Sequence, residues 1–369
     1  MNALLDSELV QEALRVVLRL SPPVTGNVTL KAEGGKLYLL SASDLSNCTI
    51  QIPGRVSGSA LFAIPTQSLQ AAVRGRKDVD LTYKNMVLQI KSGNYRADLT
   101  TVDAIMPEEE PEQAADVQEW RLSGEQLTWL KSAVQAVALK PTLNLTPYMP
   151  VTIMLTKRAA FVACYDEQHM AFVSSKEITG ELDVTLPLET ISAVLDAFGK
   201  TACRMIVTPS ALLVRNKLIR VQLALPEASD SQRDGTEVRE MAKEALTLDA
   251  QAIKLDKKAV SAFLENARAI ATKERPELVI DTSRGKVVFS VTTTIGKARA
   301  AVKAATKADA KFNIDYEYFD EALRKCGDEL LLRLVGEDFL AFKAKDAHVL
   351  VSLNQEGDAD EQQEETADE

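Results

Sequence analysis

Phe312-Asn313-Ile314-Asp315, running into Tyr316-Glu317-Tyr318-Phe319-Asp320-Glu321-Ala322-Leu323-Arg324-Lys325, reads as an extended segment that turns directly into an amphipathic helix. Asp315 suits the turn, because a carboxylate can accept the unpaired N–H groups of a helix's first residues. Two strand-like runs follow, LLLRLVGED from Leu330 and LAFKAKD from Leu340. The same order occurs twice upstream. Leu61-Phe62-Ala63-Ile64-Pro65 precedes TQSLQAAVRGRK and the runs VDLTYKN and VLQIKSG. Val184-Thr185-Leu186-Pro187 precedes LETISAVLDAFGK, then CRMIVTPS and LLVRNK. Proline is tolerated in a helix's first turn, so Pro65, Pro187 and Asp315 mark equivalent points, 122 and 128 residues apart.

Each unit also opens on a longer helix. Leu4 to Leu20 carries Leu5, Leu9, Ala13, Val17 and Leu20 at the spacing of one buried stripe. Ser123 to Leu139 does so with Leu127, Leu130, Val134 and Val137. Asp256 to Ala271 does so with Val260, Phe263, Leu264, Ala267 and Ile270. Between long and short helices lie period-two runs such as Lys36 to Leu40 and Leu278 to Asp281, which predict strands. The class is α+β: three tandem units, each with two helices on antiparallel sheets. Boundaries fall in the acidic, proline-bearing stretch near 107–117 and the charged stretch Glu227 to Lys243, where a helical insert is expected over Thr236 to Leu246.

Composition narrows the function. Apolar residues make up 46% of 369, enough for buried cores, yet no run reaches the roughly 18 apolar residues that span a bilayer. The first residues, MNALLDSELVQEALR, lack the features of a signal peptide, and a cytoplasmic protein is expected. Cys48, Cys164, Cys203 and Cys326 are scattered, which predicts reduced, buried thiols rather than a metal site or disulfide framework. With only His169 and His348, and no GxSxG, P-loop, GxGxxG or HExxH, the chain does not read as an enzyme, and no cofactor or metal is expected. The net charge is −10, but eight acids sit between Asn354 and Glu369 and four more at Glu108, Glu109, Glu110 and Glu112. Without those twelve the remainder is +2, so nucleic acid is not excluded as a partner.

Several stretches resemble the bacterial-type DNA polymerase III beta sliding clamps. Gly34 to Leu45 is similar to that family's first-domain strand pair ending in a Ser-Asp-Leu turn, and Ser92 to Thr101, running on to Met106-Pro107, resembles the close of that domain. Phe312 to Tyr316, with the helix through Ala322-Leu323, resembles the start of the second helix of the family's third domain. Asp166 to His169 resembles a second-domain turn with altered spacing. The likeness covers about residues 4–353 and marks a divergent member, viral or otherwise fast-evolving. It implies three clamp domains, 1–112, 117–228 and 247–354; the run of acids without bases over 355–369 reads, on its charge alone, as a disordered tail. The likeness further implies head-to-tail assembly, as a homodimer by analogy, into a closed ring with helices facing a hole. The implied function is that of a processivity factor that encircles duplex DNA without reading its sequence and tethers replication proteins. The implied partners are double-stranded DNA, a replicative DNA polymerase, a clamp loader and a second copy of the chain.

On that reading the polar stripes of the helices and the residues following them face DNA, because phosphates attract Lys and Arg whatever the sequence. The candidates are Arg15 and Arg19; Arg74, Arg76 and Lys77; Lys131; Lys200 and Arg204; Lys257, Lys258 and Arg268; and Arg324 and Lys325. Any one alone is ordinary solvated helix surface; recurrence in all three units favours the DNA-facing reading. The resemblance places a partner-peptide pocket at His169, Met170, Ala171, Phe339, Ala341, Val349, Val351 and Leu353. A histidine among apolar neighbours is more often a satisfied structural residue. The tail and the insert near 236–246 both depart from the family pattern around that pocket. The alternative function is a clamp-like decoy or structural assembly protein that binds replication proteins without encircling DNA.

Overall fold

Strand β1, Asn2–Asp6, passes directly into helix α1, Ser7–Leu20. The Asp6 carboxylate accepts the Glu8 N–H at 2.8 Å and caps the helix. The expected helix from Leu4 is therefore corrected at its start. Ala3 and Leu5 are buried and Leu4 exposed, which is strand alternation. With the cap at Asp6 the buried stripe is Val10, Ala13, Leu14, Val17 and Leu20, and Leu9 is 42% exposed.

The computed structural model describes residues 1–44, 46–104, 106, 118–140, 149–166, 168–208, 211–225, 235–247, 250–271, 276–283, 285–306, 309–335, 338–344 and 346–354. The acidic stretch 107–117 and the tail 355–369 lie outside them. The first series continues with β2 Asn27–Glu33, β3 Lys36–Ser43, β4 Ser46–Ile52, β5 Gly54–Ser57, β6 Ala60–Pro65, α2 Thr66–Val73, β7 Asp78–Lys84, β8 Val87–Ser92 and β9 Tyr95–Thr100. The second is β10 Gln118–Leu122, α3 Gly124–Val137, β11 Pro150–Leu155, β12 Ala160–Tyr165, β13 His169–Ser175, β14 Leu182–Pro187, α4 Leu188–Phe198, β15 Cys203–Val207, β16 Ala211–Arg215 and β17 Ile219–Ala224. After α5, Gly235–Thr247, the third is β18 Ala250–Asp256, α6 Lys257–Ala271, β19 Glu277–Ser283, β20 Lys286–Thr293, β21 Gly296–Thr306, β22 Lys311–Asp315, α7 Tyr316–Lys325, β23 Glu329–Val335, β24 Phe339–Lys343 and β25 His348–Ser352. One order, strand, long helix, strands, short helix, three strands, thus occurs three times. α5 stands outside it, over the span where the charged insert is expected.

Every strand pair among the described residues is antiparallel, in sheets ordered β5-β1-β7-β8-β9, β10-β15-β16-β17-β4-β3-β2-β6 and β14-β11-β12-β13-β25-β24-β23-β18-β21-β20-β19-β22. The chain divides into two compact units, Met1–Lys131 with Glu189–Ser229, and Ser132–Leu188 with Asp230–Glu369. The first holds the five- and eight-stranded sheets, the second the twelve-stranded one. This division cuts through the second repeat because repeats share sheets. In the first unit β17 of repeat two pairs with β4 of repeat one, Val221 opposite Cys48. In the second unit β13 of repeat two pairs with β25 of repeat three, Met170 opposite Leu350.

All four cysteines are free and buried. Burial pushes the Cys48, Cys164 and Cys203 thiols up to about 12 and Cys326 to about 11, so they stay protonated. Among the described residues no helix is long and apolar enough to cross a membrane.

In the first unit the start of α3 abuts the end of α4 so closely that only glycine fits: a Cβ on Gly124 would lie 2.3 Å from the Lys200 carbonyl oxygen. The obstacle is backbone, which cannot swing aside. Gly124→Ala is expected to destabilise the protein by about 1–3 kcal/mol, read as a lowered urea midpoint with unchanged slope.

Candidate nucleic-acid and partner-binding surfaces

In the first unit, α1 and α2 lie side by side, and their polar stripes meet. Gln11, Arg15, Leu18 and Arg19 of α1 line a shallow depression with Gln70 of α2 and Arg74 just beyond it. Arg15 pairs with Glu12 on its own helix. Asp196 of α4 takes two cations, Arg19 from α1 and Lys131 from α3, the latter at 2.7 Å. The hydrogen bond from Lys131, with that from Arg19, holds the Asp196 carboxyl below the usual carboxylate range. In the second unit Asp320 of α7 accepts from Arg268 of α6 at 3.0 Å and from Arg324 one turn along its own helix. Each unit therefore joins two bases to one aspartate and keeps a positive surplus at that cluster. Exposed pairs of this kind contribute little stability; they orient the side chains. Arg74, Lys77, Lys200 and Lys258 are exposed and, among the described residues, hold no carboxylate partner.

Four predicted cations sit in other surroundings. Arg204 stands on β15, not on a helix, and pairs with Glu119 of β10. The Arg76 guanidinium carbon sits over the Tyr95 ring, 3.4 Å from its centre. Lys257 donates its ammonium to the Cys326 carbonyl. Lys325 donates to the Ala138 carbonyl and, at 3.2 Å, to that of Ala136 at the end of α3. Burial lowers the Lys325 pKa, though nearby Glu321 opposes the shift. These two lysines satisfy backbone carbonyls that helix ends leave unpaired.

The eight residues assigned to a partner pocket do not share one surface. β13 and β25 are neighbours in one sheet and β24 lies beyond β25, but successive side chains on a strand point to opposite faces. Met170, Phe339 and Ala341 belong to an apolar face with Met154, Phe161, Tyr165, Phe172 and Leu350. His169, Ala171, Val349 and Val351 alternate with them and look the other way, while half-buried Leu353 follows β25 with its N–H bonded to the Asp338 carbonyl. A pocket lined by all eight is thus corrected to two surfaces on either side of a sheet. The apolar face carries α5, whose Val238 and Ala242 are buried in it and whose Met241 is partly so.

On the opposite face His169 is 3% exposed and held by acids. Its Nδ1 lies 2.7 Å from Asp166 Oδ1, and that oxygen also accepts the backbone N–H groups of Gln168 and His169 at 2.8 Å. Its Nε2 lies 3.7 Å from Glu321 Oε2, and its ring packs tilted against that of Tyr318, with centres 4.3 Å apart. The other Glu321 oxygen accepts the Lys140 backbone N–H at 2.8 Å. Burial alone would lower the imidazole pKa, but the hydrogen bond to Asp166 and the negative charges of Asp166 and Glu321 outweigh it and raise it. Burial would likewise raise the Asp166 carboxyl, but its bonds to His169 and the turn amides bring it below its ordinary value. Sequence alone flagged His169; Glu321 went unrecognised because it is separated from it by most of the third repeat.

The signs fix a pH window. His169, with a raised folded pKa, contributes stability below the ordinary imidazole value that is lost as pH rises through the raised one. Asp166, with a lowered folded pKa, contributes stability that is lost as pH falls through and below the carboxylate range. Stability from this cluster should therefore plateau in mildly acidic solution. His169→Asn should cost about 2–3 kcal/mol there, by leaving two partly buried carboxyls without their partner, and flatten the alkaline limb. Urea unfolding followed across pH measures both effects.

No family model matches the sequence, and no curated protein matches it. Solved structures do match its fold. The DNA polymerase III beta chain from Streptococcus pneumoniae superposes with a TM-score of 0.78 at 12% identity, over 96% of this chain and 99% of that one. The beta subunit from Thermotoga maritima gives 0.76 at 12% over 96% and 99%, and that from Pseudomonas aeruginosa 0.75 at 13% over 96% and 100%. The chain has, over nearly its whole length, the fold of the DNA polymerase III beta-subunit sliding clamps.

Proposed function

We propose that this protein is a DNA sliding clamp. Two copies close head to tail around duplex DNA and tether a replicative polymerase, after opening by a clamp loader, with no catalytic chemistry of their own. On this reading the chain comprises clamp domains at 1–112, 117–228 and 247–354, and works among soluble replication proteins in the cytoplasm.

The pattern of shared sheet edges is the observation that carries this reading. Within the chain, β4 of repeat one pairs with β17, the last strand of repeat two, and β13 of repeat two with β25, the last strand of repeat three. The third member of the series would join β21 of repeat three to β9, the last strand of repeat one. β21 corresponds to β4 and β5 run together. Its end, Ala304 to Thr306, pairs with β18 as β5 pairs with β1, and Gly296 to Lys303 pairs with β20. Among the described residues Gly296 to Lys303 has a strand on one side only, and β9 pairs with β8 alone. A second copy offers the complementary edge at both places. A head-to-tail interface of this kind closes into a ring when its rotation permits.

The basic clusters supply the second element. Arg15, Arg19, Arg74 and Lys131 in one unit, and Arg268 and Arg324 in the other, attract phosphates without reading bases. Asp196 and Asp320 temper that attraction, which suits a ring that must move along DNA.

The expected mass in solution is twice 40.3 kDa, and the dimer should stay on closed circular duplex DNA and leave it once the circle is cut. A monomer indifferent to DNA ends would favour the decoy reading instead. Proline placed in turn at Ala300 and Ala301 tests the edge: the one whose N–H faces the open side should give a folded monomer. Glutamate at Arg15, Arg74 and Arg268 together should shorten residence on circles, with the salt dependence falling by about one unit of slope for each phosphate no longer neutralised. Unchanged residence would remove these residues from the DNA-facing surface.

A further inference from the structure

Helix α5 and the sheet beneath it are poorly matched in breadth. The sheet offers Met154, Phe161, Tyr165, Met170, Phe172 and Leu350, a wide face of aromatic and thioether side chains. The helix answers with a narrow stripe: Val238 and Ala242, fully buried, and Met241, partly buried, at the i, i+3, i+4 spacing. Arg239 adds a weak polar tie, its guanidinium 3.8 Å from the Met154 sulfur. The other face of the helix, with Glu237, Glu240, Lys243 and Glu244, is exposed. Beyond the helix the same sheet face continues to Phe339 and Ala341, which stay only half-buried.

At 13 residues, α5 is at the margin of what holds a helix in water unaided, so its order depends on this packing. Methionines at a docking face re-pack around different partners more readily than branched side chains do. α5 also stands outside the order repeated three times, so each repeat stays complete when it leaves.

We propose that α5 is a displaceable internal occupant of a docking face, and that an amphipathic helix of a partner protein takes its place. Such a helix would carry apolar side chains at i, i+3 and i+4, as α5 does, with a longer residue reaching Phe339 and Ala341. The partner class rests on the tethering function proposed above; the displacement itself does not. The protein thereby meets partners with its site already covered, and only a segment that outcompetes a tethered helix docks.

The probe is α5 itself: a fluorescein-labelled peptide of sequence GTEVREMAKEALT, titrated without DNA and read by fluorescence anisotropy. A full chain with residues 235–247 replaced by a Gly/Ser segment of equal length should bind the probe saturably. The unaltered chain should need on the order of 100-fold more, because its own helix competes at high effective concentration. A probe carrying Val238→Glu and Met241→Glu should bind neither. Equal binding to both chains, or none to a replaced chain that still melts cooperatively, would overturn the proposal. Should the replaced chain fail to fold, native-state hydrogen exchange on the unaltered protein decides. Amides of α5 should then exchange roughly tenfold or more faster than those of β12 and β13; equal protection would end the idea. Because no DNA is present, failure here leaves the ring reading standing, and failure of retention on circles leaves this one standing.

Discussion

A strand at the border of a sheet presents a row of N–H and C=O groups that must find partners in water or in another strand. The rest of this structure depends on how that requirement is met. Each repeat leaves the border of its fourth strand without a partner of its own, and in two of three cases the last strand of the next repeat supplies one. Sheets consequently run across repeats, and the natural compact units cut through the middle repeat instead of separating three beads. The remaining borders, on β21 and β9, are short of large apolar side chains and carry Lys297, Arg299, Lys303, Arg96 and Asp98. Charge on an exposed border discourages indiscriminate strand addition while leaving the backbone open to a partner of the right register.

The helices show how far sequence reasoning reaches and where it stops. Leu127, Leu130, Val134 and Val137, and Val260, Phe263, Leu264 and Ala267, are buried as their spacing requires, while Ile270 at the end of the last stripe is only partly so. A stripe of that period has one solution for a helix of known start. At α1 the start itself is ambiguous, because Leu5 and Leu9 fit the period as well as Val10 and Leu14 do. Only the Asp6 cap and the pairing of β1 separate the two readings. The order of extended run, short helix and strands is legible at all three of Pro65, Pro187 and Asp315. The joining of β21 from two segments is not, since nothing local distinguishes a strand that continues from one that breaks.

Surfaces are less legible than elements, for a related reason. A helix's polar stripe says which side chains avoid the core, but not whether a lysine there meets solvent, as Lys258 does, or a helix end, as Lys325 does. The acids decide the electrostatics: Asp196 and Asp320 each gather cations from two elements, and in sequence they look like any other helix aspartate. The pocket assignment fails at a single-residue scale. His169 and Met170 are adjacent in the chain, yet a sheet sends neighbours to opposite faces.

That opposition gives β13 two different tasks. On one face the His169 ring is bonded to Asp166 of the preceding turn and faces Glu321 of α7 as an ion pair 3.7 Å away, so that an acid stands on either side of it. On the other face Met170 and Phe172 join the apolar cluster that α5 covers, a packing that many geometries would satisfy. The buried imidazole between two acids fixes the sheet's position against its helix, because displacing it would leave two partly buried carboxyls without their partner. Dispersion and apolar burial impose no such penalty on sliding or exchange. The sheet is thus anchored from the side where exchange would be costly, and that anchoring is what allows the opposite face to trade one covering helix for another while keeping its own shape.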